Sequence, residues 1–187
     1  MDVNQVISQA QGKFGQAVER FKDSLKGLRT GRASAAMLDG VIVEAYGTSM
    51  PLNQVGNIVV PEAQLLQITP FDPNNLQAIA EAIRNNQSLG LNPADDGRVV
   101  RVPIPPLTEE RRRELAKQVG QKQEDAMISL RNIRHDAMDS IDRAKKDKDI
   151  GEDEAKRLSN QIEEAINKAR SKVEAAAKAK ETEIMTV

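Results

Sequence analysis

The chain has 187 residues, a formal net charge of −1, 29% charged residues, 2% aromatic residues and no cysteine. Without cysteine there are no disulfides, thiolate nucleophiles or sulfur-ligated zinc sites, and the single histidine, His135, cannot build a histidine-rich metal site. No run of about 18 apolar residues could cross a membrane, and Met1 to Gln5 lack the basic-then-apolar order of a secretion signal, so a reducing cytoplasmic setting is expected.

All 8 prolines lie between Pro51 and Pro106. Proline breaks helix interiors, so both flanks are free to form long helices while the middle is not. In the first flank Val3, Ile7, Ala10, Phe14, Ala17, Phe21 and Leu28 recur at helical spacing, with Val18 and Leu25 widening the stripe. One amphipathic helix is predicted over residues 2–29.

In the middle, the apolar runs Val41–Val43, Ile58–Val60, Leu65–Ile68 and Val99–Val102 are bounded by Gly, Pro and Asn and predict strands. One helix interrupts them from Asn75 to Asn86, with Leu76, Ile79, Ala80 and Ile83 on one face. The pattern predicts a small domain over residues 31–106, inserted into a helical one made of residues 1–30 and 107–187. Two segments connect them. Arg29, Thr30, Gly31 and Arg32 lead in, and Pro103, Ile104, Pro105, Pro106 and Leu107 lead back. Glycine is permissive and a proline-rich return is stiff but not helical, so this paired crossing is expected to act as a hinge.

A second helix starts behind Thr108, Glu109 and Glu110, where a threonine cap and first-turn acids suit the helix dipole. Its stripe is Leu115, Val119, Ala126, Leu130, Ile133, Ala137, Ile141 and Ala144. Gly151 is the expected break, after which Ala155, Leu158, Ile162, Ala165, Ala169, Val173 and Ala176 mark a third helix. A short turn makes the second and third helices antiparallel neighbours, and three such stripes bury one another in a three-helix bundle. The second helix alone would run about 60 Å, so the bundle is elongated. The fold class expected is α+β, an elongated three-helix bundle with an inserted small β/α/β domain.

Charge is unevenly distributed. Residues 31–106 hold 4 basic residues against 7 acids, whereas residues 111–134 hold 7 against 3. On the second helix Arg113, Lys117, Arg131, Arg134 and His135 fall within about 60° of one direction, roughly 125° from the apolar stripe. Arginine binds phosphate through a planar fork, and the scarcity of aromatics disfavours base-by-base reading, so the stripe fits structured RNA. A solvated outer face that merely keeps the bundle in solution accounts for the same pattern. Other candidates reduce to structure: Asp95 and Asp96 precede Gly97 as turn residues, and His135 is a single ring on an exposed face. With no phosphate loop, nucleophile elbow or metal motif, neither catalysis nor a cofactor or metal site is expected. The competing reading is a coiled-coil adaptor whose stripes serve a second copy or another helix.

Further residues carry a family resemblance: Arg29-Thr30-Gly31-Arg32-Ala33-Ser34, Leu38-Asp39-Gly40, Tyr46-Gly47, Leu89-Gly90-Leu91-Asn92-Pro93, Arg101 to Arg112, and Arg131-Asn132-Ile133-Arg134. In order along nearly the whole chain, these resemble the ribosome recycling factor family. The resemblance implies an L-shaped monomer that binds the post-termination ribosome with its bundle on large-subunit rRNA. Elongation factor G and its GTP hydrolysis then drive subunit separation and release of mRNA and tRNA. It also implies that Arg131 and Arg134 contact rRNA. With the basic excess beside them, the candidate rRNA-binding residues are Arg111, Arg112, Arg113, Lys117, Arg131 and Arg134. His135 stands where many members have a further arginine, and Gly151 where a serine cap is usual.

Overall fold

The computed structural model describes residues 3 to 186. The expected helix start at residue 2 and the burial of Val3 lie outside what is described. The chain forms two compact units, one built from its two ends and the other running from Thr30 to Thr108.

The first unit is a bundle of α1 (Val3–Lys26), α4 (Glu109–Lys146) and α5 (Glu152–Thr186), each packed on the other two. From α1, Ile7, Ala10, Phe14, Val18, Phe21 and Leu25 enter the core at the three- and four-residue spacing of one helical face. The helix stops at Lys26, short of the expected residue 29. Gly27 follows, and Leu28 closes a tight turn by donating its amide to the Leu25 carbonyl. From α4, Leu115, Val119, Ala126, Leu130, Ala137, Ile141 and Ala144 are buried, and Ile133 is half-buried.

On α5 the buried residues are Ala155, Leu158, Ile162, Ile166, Ala169, Val173, Ala177 and Ile184. Ile166 and Ala177 therefore stand where the sequence reading had Ala165 and Ala176. The seam follows the period of a straight helix, and burying Ile166 removes more apolar surface than burying Ala165. The break between α4 and α5 falls at residues 147–151, where Gly151 was expected to mark it. Lys148, not Gly151, adopts the left-handed conformation, with φ 62°. Around it the amides of Asp147, Lys148 and Asp149 donate to the carbonyls of Arg143, Lys145 and Ala144, satisfying the last carbonyls of α4. Gly151 instead precedes α5 and accepts a backbone hydrogen bond from Ala155.

The second unit contains β1 (Ile42–Ala45), β2 (Thr48–Pro51), the single turn α2 (Leu52–Val55), β3 (Gly56–Glu62), β4 (Leu65–Pro70), α3 (Leu76–Asn85), β5 (Ala94–Asp95) and β6 (Val100–Pro103). Strands β3, β4, β6 and β5, in that order, make an antiparallel sheet, and β1 and β2 pair separately as a hairpin. Two strands, β2 and β5, were not expected: neither buries a residue fully, so neither carries an apolar alternation. Val43, Leu66, Ile68, Ile79, Ile83, Val100 and Val102 meet in one core, with α3 contributing the face its spacing indicated.

Two close approaches tighten this unit. A Cβ on Gly56 would lie 2.9 Å from the Thr69 carbonyl oxygen of β4, so only glycine lets the strands pair there. Gly31 has φ +75°, and a Cβ on it would lie 2.9 Å from Cγ of Leu107. The incoming and returning segments thus pack directly on one another, with Thr30 and Gly31 both buried.

Candidate nucleic-acid interface

Four arginines of α4, Arg111, Arg113, Arg131 and Arg134, are held in ion pairs supplied by the same chain. At the start of the helix, Arg113 pairs with Glu109 and Arg111 with Glu114. Further along, Arg131 reaches back to Glu124 at 2.7 Å, with both side chains more than half exposed. Arg134 donates from Nε to Glu163 Oε1 of α5 at 2.7 Å, and its guanidinium forms a second contact to the same oxygen. The side chains of this pair are only 40% and 39% exposed. Arg134 was expected to point away from the apolar seam. It lies instead along the flank where α4 meets α5, because Glu163 draws the guanidinium toward its own helix.

Arg112 differs again. It is half-buried and donates through a terminal nitrogen to the Met185 carbonyl at 3.1 Å, while its Nε is buried without a partner. It therefore ties the start of α4 to the last turn of α5, where carbonyls lack helical partners. Lys117 is exposed and joins no ion pair among the described residues. His135 lies 76% exposed beside Asp139 at 3.6 Å.

Lys117 apart, the arginines of the stripe form a row of exchangeable ion pairs rather than bare positive charge. An exposed pair contributes little, about 0–1 kcal/mol, so a phosphate can replace a carboxylate on Arg111, Arg113 or Arg131 at small cost. A sequence pattern does not show this neutralisation: Glu124 lies two turns from Arg131, and Glu163 meets Arg134 only across the helix pair.

The remaining candidate positions are structural. Asp95 accepts from the Gly97 amide, and Asp96 accepts from the amides of Arg98 and Val99, which shapes the turn from β5 to β6. These backbone hydrogen bonds, Val99 first, hold the Asp96 carboxyl below its ordinary value, and Arg101 adds to the effect. Among the described residues no group of His, Cys, Asp or Glu could hold a metal ion. No described helix is long and apolar enough to cross a membrane.

Residues 21–185 match the family model described as ribosome recycling factor. The chain belongs to the ribosome recycling factor family. It is 45% identical to the ribosome-recycling factor of Chloroflexus aurantiacus, over 99% of this chain and all of the relative. To that of Erythrobacter litoralis it is 48% identical over 93% of this chain and 94% of the relative. Among solved structures it resembles a solution structure of the ribosome recycling factor, with TM-score 0.74, 38% identity and 100% and 99% of the two chains covered. A second neighbour, at TM-score 0.64 and 36% identity, covers 98% of this chain and 99% of its own. That neighbour is a Thermus thermophilus recycling factor, bound with Escherichia coli elongation factor G to the E. coli post-termination complex. Membership makes the chain a translation factor and not an enzyme. The solution structure is matched over 100% of this chain, so the bundle and the inserted domain are family architecture and not an adaptor's coiled coil.

Proposed function

We propose that the protein binds the post-termination ribosome as a cytoplasmic monomer, through contacts of the bundle with large-subunit rRNA. With elongation factor G and GTP it then promotes separation of the subunits and release of mRNA and tRNA. The observation that carries this reading is the agreement, across both units, with recycling factors that include one bound beside elongation factor G on a post-termination complex.

On α4, Arg111, Arg113, Lys117 and Arg131 offer exposed cationic groups to phosphate, and Arg134 joins them by leaving Glu163. Arg112 serves better as a clamp on the end of α5 than as an RNA contact, because its guanidinium is already committed. The hinge is assigned to the two crossings: Arg29, Thr30, Gly31 and Arg32 on one side, Pro103, Pro105 and Pro106 on the other.

The test is a splitting assay on post-termination ribosomes with each component omitted in turn. Splitting is expected only with this protein, elongation factor G and GTP together. Splitting by the protein alone, or none with all three, overturns the reading.

A further inference from the structure

The bundle contains a second basic surface, distinct from the arginine stripe. Between α1 and α4 lies an open groove of about 600 Å³ whose lining includes Lys13 and Arg20 from α1 and Lys122 from α4. None of these three cations makes an ion pair or side-chain hydrogen bond among the described residues. Lys22 and Lys26 of α1 each hold a carboxylate one turn earlier, and Arg111, Arg113, Arg131 and Arg134 of α4 hold theirs, whereas the three groove cations, like Lys117, do not. One acid, Asp125, shares the groove, leaving three positive charges against one negative.

Packing accounts for the opening. Between Val119 and Ala126 no residue of α4 is fully buried, and Lys122 stands half-buried in that gap with its charged end unmatched. Opposite, Lys13 and Arg20 are seven residues apart on one face of α1, about 10.5 Å along the axis. Gathering like charges in one groove opposes folding slightly and adds nothing to the core. An anionic ligand would supply the missing counter-charge.

We propose that this groove receives the sugar-phosphate backbone of a folded RNA, as a second rRNA contact of the bundle. The inference rests on the ribosome-binding reading above and adds Lys13, Arg20 and Lys122 to the residues that carry it. Polar groups for the same task stand beside the cations: the Asn132 amide is exposed, and Ser129 offers a hydroxyl whose proton now goes to the Asp125 carbonyl. Asn132 thereby acquires a role within Arg131-Asn132-Ile133-Arg134, on a different flank from Arg134. An acidic protein is a poorer fit, because a protein interface centres on exposed apolar or aromatic anchors and Phe21 and Ala126 at this groove are buried.

The experiment measures affinity of the full chain for purified large ribosomal subunits at several salt concentrations, for wild type and for Lys13→Gln, Arg20→Gln and Lys122→Gln combined. Loss of three phosphate contacts lowers the salt slope by about two to three and weakens binding at least about tenfold near 0.1 M salt. Thermal melting should not change, and Lys13→Arg, Arg20→Lys and Lys122→Arg combined should bind as wild type does. A glutamine variant with wild-type affinity and slope overturns the groove while leaving the function above intact. Unchanged large-subunit binding with a lost response to elongation factor G also overturns it, in favour of a protein partner. If the wild type shows no salt-dependent binding, both readings fall together.

Discussion

At the scale of single residues, Arg134 separates stability from function. Its pair with Glu163 is about 40% exposed on each side, so Arg134→Ala should cost no more than about 1 kcal/mol of bundle stability by thermal or urea unfolding. Ribosome affinity should fall by about 1–3 kcal/mol, with the salt slope reduced by about one. Glu163→Ala breaks the same pair yet frees the guanidinium, so its affinity should equal or exceed that of wild type. A matching loss in both variants would show that the pair matters only to the fold. Asp96 makes a different prediction. Its folded carboxyl titrates below the ordinary value, so the stabilisation it lends the turn from β5 to β6 is complete above the ordinary carboxylate range. That stabilisation disappears as pH falls through the lowered folded value. The amide resonances of Arg98 and Val99, which donate to this carboxylate, should report that titration.

Among the elements, the turn joining α4 to α5 carries a removable strain. Lys148 holds φ 62°, where a side chain costs about 1–2 kcal/mol relative to glycine. Lys148→Gly should therefore stabilise the bundle by about 1 kcal/mol, read as a higher urea midpoint at unchanged slope, since unfolding exposes the same surface. The crossing into the inserted unit predicts the reverse. Gly31→Ala meets both an unfavourable φ and the Leu107 side chain, and should destabilise that unit by at least about 1 kcal/mol. Faster amide exchange in β6, just before Leu107, would locate the damage; unaltered exchange would mean that Leu107 yields without cost.

For the whole molecule, covalent order and charge separate the two units. The inserted unit is one continuous stretch with its own core of Leu66, Ile68, Ile79, Ile83, Val100 and Val102, whereas the bundle needs both ends of the chain. A fragment of residues 30–108 should fold alone with native sheet signatures by circular dichroism and amide dispersion. Residues 31–106 carry 4 basic side chains against 7 acids, so that fragment should show no salt-dependent binding to large subunits. Binding by the fragment comparable to that of the full chain would place the RNA contact in the wrong unit.

What the sequence determined by itself is whatever local periodicity encodes. Helical hydrogen bonds close within four residues, so α1, α3, α4 and α5 can be read from apolar spacing and from the confinement of proline to residues 51–106. Family motifs added the identity, because Arg131-Asn132-Ile133-Arg134 and the segments at the crossings are contiguous strings. Tertiary structure decided the rest. Strands β2 and β5 exist only because β1 and β6 offer them partners, and Ile166 displaces Ala165 because α1 and α4 determine which side of α5 is covered. The same holds for charge. Helical spacing places Arg134 on α4, but only the packing of α5 brings Glu163 to it, and only the packing of α1 against α4 gathers Lys13, Arg20 and Lys122 in one groove. Pairing between distant segments depends on how their faces meet, and no window of neighbouring residues contains that information.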